Sequence, residues 1–294
     1  MASTIAPGAQ IGAVHLNCVH LEQQISFYQN LLGFQVHQQQ GDSAWLGTAQ
    51  NQGPLSSPAL LILTQTKNGG RVRGTTGLYH FAILVPSRRE LAHLILRTTR
   101  GGATLEGSAD HGVSEALYLA DPEGNGVEIY RDRQRQEWPV DATGYLRMVT
   151  EPLHLDAILA ELSGESDTHI ALDIQTRIGH VHLHVADLPA AEQFYCDILG
   201  FERTQRYGSS ATFVSAGGYH HHVGMNTWAG VGAPPPPPEA PGLRWFSIRL
   251  PGRQELEETV RRVRAANLPL SEQPEGYLLQ DPSQNGILLT ASPN

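Results

Sequence analysis

The segment HVHLHV, His180 to Val185, alternates in character with a period of two, which predicts a β-strand with two unlike faces. The period then changes. In DLPAAEQFYCDILGF, Asp187 to Phe201, residues Ala191, Phe194, Tyr195 and Ile198 recur at helical spacing; Asp187 is placed to cap the start and Gly200 to end it. SATFVSAGGYHHHVGMNTW, Ser210 to Trp228, reads as two short strands around a Gly-Gly turn. The same order recurs earlier. SRRELAHLILRTTRGG (Ser87 to Gly102) has the helical pattern, and EALYLADPEGNGVEIYRDR (Glu115 to Arg133) reads as strand, tight turn and strand.

The chain repeats itself. IGAVHLNCVHLEQQISFYQNLLGF (Ile11 to Phe34) returns as IGHVHLHVADLPAAEQFYCDILGF (Ile178 to Phe201). GLYHFAILV (Gly77 to Val85) returns as GLRWFSIRL (Gly242 to Leu250), and DPEGNGVEIY (Asp121 to Tyr130) as DPSQNGILLT (Asp281 to Thr290). The chain is therefore read as four units, numbered one to four, in two halves. Residues 9–132 are expected to form a first domain and 177–292 a second. The polar, partly helical segment 133–176 is the connection between them. Pro234 to Pro238 is a stiff polyproline spacer between units three and four.

Composition narrows the class. With 294 residues, 40 % hydrophobic and 17 % charged, the chain can bury a sizeable core. A formal net charge of -9 with no basic block argues against nucleic acid or an anionic membrane as partner. No apolar run reaches membrane-spanning length, and MASTIAPGAQ is too polar for a secretory leader. Two cysteines, Cys18 and Cys196, do not make a disulfide framework, so a cytoplasmic location is expected. Fourteen histidines is high for this length, and position has to decide which of them matter.

Four βαβββ units with an FY..xLGF ending to the first helix resemble the vicinal oxygen chelate superfamily, over nearly the whole chain except its middle. That resemblance implies an α+β fold of two curved, half-open mixed sheets with a divalent metal in a concavity. Within the superfamily, HGVSEALYLADPEGNGVE (His111 to Glu128) is similar to the signature of extradiol ring-cleaving dioxygenases of the catechol 2,3-dioxygenase type. Ala109 departs from the residue usual two positions before the histidine. The resemblance implies that Glu128 is an iron ligand and that His111 and Tyr118 line the substrate pocket.

The same resemblance makes a first-strand histidine the second ligand, and His80 stands there in an otherwise apolar run. A third ligand is expected seven residues before the aspartate that opens a helix. In unit three this is His180; in unit one the equivalent is Ala13. Unit four has Trp245 in place of His80 and Leu288 in place of Glu128. One metal site is thus expected, made by pairing units two and three across the connection. Two imidazoles and a carboxylate are the facial triad of non-haem Fe²⁺, and Mn²⁺ fits the same donors.

The triplet His220-His221-His222 precedes a strand. The resemblance implies that His221 is the acid–base residue, and strand alternation would turn His220 and His222 away from it. His182, His222 and Asn226 are further pocket candidates, and Trp228 is read as core or pocket wall. The expected function is O₂-dependent opening of a catechol beside its diol to a 2-hydroxymuconic semialdehyde. The alternatives are a non-redox, glyoxalase-like isomerase or thiol transferase, and a binding module without turnover. The expected partners are a small aromatic diol and O₂, with assembly as a homo-oligomer.

Overall fold

The computed structural model describes residues 4–49, 58–67, 69–142, 146–162 and 171–292. Unit one supplies β1 (Gln10–Cys18), α1 (Leu21–Ser26), β2 (Gln35–Gln40), β3 (Ser43–Gly47) and β4 (Leu61–Gln65). Unit two supplies β5 (Gly77–Leu84), α2 (Arg88–Arg100), β6 (Leu105–Asp110), β7 (Ser114–Ala120) and β8 (Gly126–Asp132). The connection contributes α3 (Leu155–Leu159). Unit three has β9 (Arg177–His184), α4 (Leu188–Glu192), β10 (Glu202–Tyr207), β11 (Ala211–Ser215) and β12 (Val223–Asn226). Unit four has β13 (Gly242–Leu250), α5 (Arg253–Ala265), β14 (Ser271–Gln273), β15 (Gly276–Gln280) and β16 (Gly286–Ala291).

Each unit is a four-stranded piece whose first strand lies parallel to its last, as β1 with β4 and β5 with β8. A parallel pair needs a crossover, and the helix after each first strand provides it. The pieces join into two curved mixed sheets of eight strands each. One runs β14-β15-β16-β13-β1-β4-β3-β2, the other β10-β11-β12-β9-β5-β8-β7-β6. Unit one therefore shares a sheet with unit four, and unit two with unit three, through the antiparallel seams β1–β13 and β5–β9. The two sequence halves do not each own a sheet.

Local chemistry explains the first helix of units one and three. Asp187 caps α4 by accepting from the Ala190 N–H at 2.8 Å, and Pro189 sits in the first turn, where its missing N–H costs nothing. In both units the helix then widens to π geometry, over Phe27–Leu31 and Gln193–Ile198. This turns Tyr28 and Tyr195 fully inward. Gly33 and Gly200 follow with φ of 83° and 90°, a left-handed stop that side chains resist.

Those two tyrosines tie the units of each half together. The Tyr28 hydroxyl donates to Asp121 Oδ2 at 2.9 Å, and the Tyr195 hydroxyl to Asp281 Oδ2 at 3.2 Å. Each aspartate also receives backbone and side-chain N–H bonds from its own turn, Asn125 for Asp121 and Asn285 for Asp281. Glu123 of the same turn accepts from the Val19 and His20 N–H groups at the start of α1. The DPxxNG turns are thus inter-unit clamps. Among the described residues no helix is long and apolar enough to cross a membrane.

Candidate metal centre

The seam between β5 and β9 fixes the site. His80 lies opposite His182 and Ala82 opposite His180, while β8 places Glu128 beside Ala82. His80, Glu128 and His180 therefore meet on one face, all buried. Glu128 Oε2 is 3.0 Å from His180 Nε2 and 3.1 Å from His80 Nε2. The three donor atoms lie within 4.8 Å of one another.

These distances fit an ion. Donors at right angles on an octahedral centre with bonds of about 2.1 Å stand about 3 Å apart. The His80 approach lacks hydrogen-bond geometry, so its Nε2 is a buried nitrogen without a hydrogen-bond partner. His180 Nε2 hydrogen-bonds Glu128 Oε2, while His80 Nε2 approaches the same oxygen without such a bond, so the three donors converge on one point. Burial pushes the Glu128 carboxyl up, but the two imidazoles more than reverse this and hold it well below the usual carboxylate range. Burial brings His180 down to about 4 against the pull of Glu128. The set is one carboxylate and two imidazoles, a good donor set for a divalent metal.

The other candidate residues fall in three positions. Tyr118 and His111 adjoin the triad: the Tyr118 hydroxyl bonds His111 Nε2 at 2.7 Å, and His111 Nδ1 bonds the Val149 carbonyl at 2.8 Å. A carbonyl only accepts, so Nδ1 carries the ring proton and Nε2 accepts the hydrogen bond the Tyr118 hydroxyl donates. Burial, reinforced by Glu128, holds Tyr118 well above the usual phenol range. His182 sits beside the triad with its ring 5.1 Å from that of His80, and it also meets Tyr79 and Trp228. Asn226 is fully buried; its oxygen accepts from His184 Nδ1 at 2.7 Å and from the Trp228 N–H at 3.0 Å. It orients those two rings. Trp228, 46 % exposed, is wall and not core.

The histidine triplet departs from the alternation expected for it. It lies in the turn after Gly217-Gly218, and β12 begins only at Val223. Without strand geometry, His220 and His221 fall on the same side. Their Nδ1 atoms are 2.9 Å apart, and both rings neighbour His180, that of His221 at 4.1 Å. His222 turns the other way: its Nδ1 accepts from the Ala216 N–H at 3.1 Å and its ring packs on Tyr219 and Phe201. The structure does not bring it to the triad. His221 is held well below the ordinary histidine value by burial and by His180, His220 and other nearby imidazoles.

Sequence reasoning missed a polar shell behind the triplet: Tyr130, Asp132 and Tyr219. The Tyr130 and Tyr219 hydroxyls are 2.7 Å apart, Tyr219 donates to Asp132 Oδ2 at 2.9 Å, and Asp132 Oδ1 is 2.9 Å from His220 Nε2. A tyrosine two residues beyond Glu128, on the same strand face, was the available signal.

The other seam shows the same geometry without the chemistry. His15 faces Trp245 across β1–β13 as His182 faces His80 across β5–β9. Leu288 is buried where Glu128 would be, and Ala13 replaces the second imidazole. His15 is bonded to Thr64 Oγ1 at 2.8 Å.

The profile of the glyoxalase/bleomycin resistance protein/dioxygenase superfamily matches residues 10–129 and 177–287. A protein of Bacillus subtilis (strain 168) named catechol-2,3-dioxygenase is 42 % identical over 285 residues, 95 % of this chain and 96 % of that protein. A crystal structure from Bacillus subtilis subsp. subtilis str. 168 superposes with TM-score 0.64 at 12 % identity, covering 99 % of this chain and 87 % of that one. Glyoxalase I from Zea mays superposes with TM-score 0.55 at 15 % identity, covering 97 % and 92 %. At such identities the two superpositions speak for the fold alone.

Proposed function

Since the chain belongs to the glyoxalase/bleomycin resistance protein/dioxygenase superfamily, we propose that it is an extradiol dioxygenase. It opens a catechol beside its paired hydroxyls with O₂ and gives a 2-hydroxymuconic semialdehyde. The observation that carries this is the convergence of His80, His180 and Glu128, with the Tyr118–His111 pair on one side and His221 on the other. The three ligands would hold Fe²⁺, which supplies a centre able to take both diol oxygens and to pass electrons between ring and O₂. The cell compartment that suits such a ligand set is the reducing cytoplasm, and the assembly is a homo-oligomer.

The remaining residues handle protons and orientation. The Tyr118 hydroxyl donates its hydrogen bond to His111 Nε2, so its oxygen turns lone pairs to the substrate and accepts from a substrate hydroxyl. It stays a phenol throughout, because burial forbids the phenolate. His221 is neutral before substrate enters, so it acts first as a base on the second hydroxyl and later returns the proton. Tyr79, His182 and Trp228 form an aromatic wall for the ring of the substrate. A non-redox isomerase needs no phenol at Tyr118.

Protein purified without air should carry about one iron per chain, since among the described residues one seam has such a donor set, and should give a yellow ring-fission product from catechol in air. H80A, H180A or E128A should lose most of the metal and nearly all turnover. Two metals per chain, or iron retained by H180A, would refute the assignment of this seam.

A further inference from the structure

The Asp132–His220–His221 chain is polar, buried at its centre and unused by the reading above. Asp132 is a carboxylate and only accepts, so the 2.9 Å contact at Oδ1 is a bond donated by His220 Nε2–H. Tyr219 donates to the other oxygen, which keeps the carboxylate in one orientation. With its proton on Nε2, a neutral His220 has its lone pair on Nδ1. That atom lies 2.9 Å from Nδ1 of His221, which must therefore be the donor. His220 is 1 % exposed and surrounded by the rings of His180, His221, Tyr130, Tyr219 and Trp138, which fix its orientation. The turn that carries it is held from outside: Arg135 donates to the Gly217 carbonyl at 2.8 Å and to the Gly218 carbonyl.

We propose that Asp132 and His220 are positioning residues that fix the tautomer of His221, leaving its Nε2 as the lone-pair nitrogen beside His180. This rests on His221 being the acid–base residue. A base is useful only if its free nitrogen faces the proton it takes, and Nε2 is the end of the ring away from His220. Sequence neighbours in a histidine run would then have distinct jobs: one reacts, and the one before it sets the first one's tautomer through Asp132.

The test has one arm that needs neither metal nor substrate. In metal-free protein labelled with ¹⁵N-histidine, NMR should show His221 protonated at Nδ1 and bare at Nε2. H220F and D132A should shift it towards the Nε2–H form. H220Q should retain the Nδ1–H form, because its amide oxygen accepts from His221 and its NH₂ group donates to Asp132. In the iron-loaded enzyme, H220F should keep its metal and its KM for catechol within about twofold. Its kcat should fall by about tenfold or more, up to the 10²–10⁴ that acid–base catalysis supplies in total. H220Q should recover most of that loss. An Nε2–H His221 in the wild-type chain, or an H220F with unchanged tautomer and kcat, overturns the proposal. A wild-type chain that opens no catechol would instead refute the proposed reaction, while the NMR arm still decides the tautomer.

Discussion

At the scale of single residues, three adjacent histidines share a turn and differ in partners. His221 lies against His180, so H221F should keep iron and catechol binding and lose about 10²–10⁴-fold in turnover, measured beside metal content. His222 has a structural task. Its Nδ1 must stay unprotonated to accept from Ala216, and burial brings it down to about 3. The sign follows directly: below the unfolded value near 6.5 the unfolded chain takes up a proton that the folded chain refuses. Stability from this residue is complete above that pH and drains away as pH falls towards about 3. Asparagine offers an acceptor in place of Nδ1 but does not titrate, so H222N should narrow its deficit to wild type, or reverse it, between pH 7 and pH 4.5. Thermal midpoints of the metal-free proteins would show it, and parallel curves would assign the acid sensitivity elsewhere, with His15, also about 3, the next candidate.

At the scale of elements, the repeated segments were legible because strand and helix periods are local. The strands that carry the triad, β5, β8 and β9, were readable through the spacing of His80, Glu128 and His180 in a resembling pattern. The triplet's orientation was not, because alternation applies only inside a strand and the strand starts one residue later, at Val223. Nor could the sequence reveal what Asp121 and Asp281 do, since their partners Tyr28 and Tyr195 lie 93 and 86 residues away. These clamps set a prediction of their own. Removing a buried hydroxyl that donates to a carboxylate costs about 1.5–3 kcal/mol. Y28F and Y195F should each lower unfolding stability by that order in denaturant titrations, with metal content unchanged. A loss of only a few tenths would mean that each aspartate is satisfied by its turn alone.

At the scale of the whole molecule, both sheets are completed across the sequence halves, and so is the triad: His80 and Glu128 come before the connection and His180 after it. A fragment ending before the connection should therefore bind iron weakly and fold poorly, having only half of each sheet. The two fragments, expressed together, should recover ring-opening activity, read from the yellow product. If the first fragment alone binds iron as tightly as the intact chain, the seam is not what builds the site. The seams also give the connection a meaning that neither its polarity nor its short helix suggests. It acts as a tether that makes the meeting of the halves intramolecular, at an effective concentration set by its length. Cutting it would turn a one-body equilibrium into a two-body one, so metal affinity would depend on protein dilution. The chain is in this sense a dimer written as a single polypeptide: the seams set the affinity of its halves, and the linker sets the concentration at which they meet.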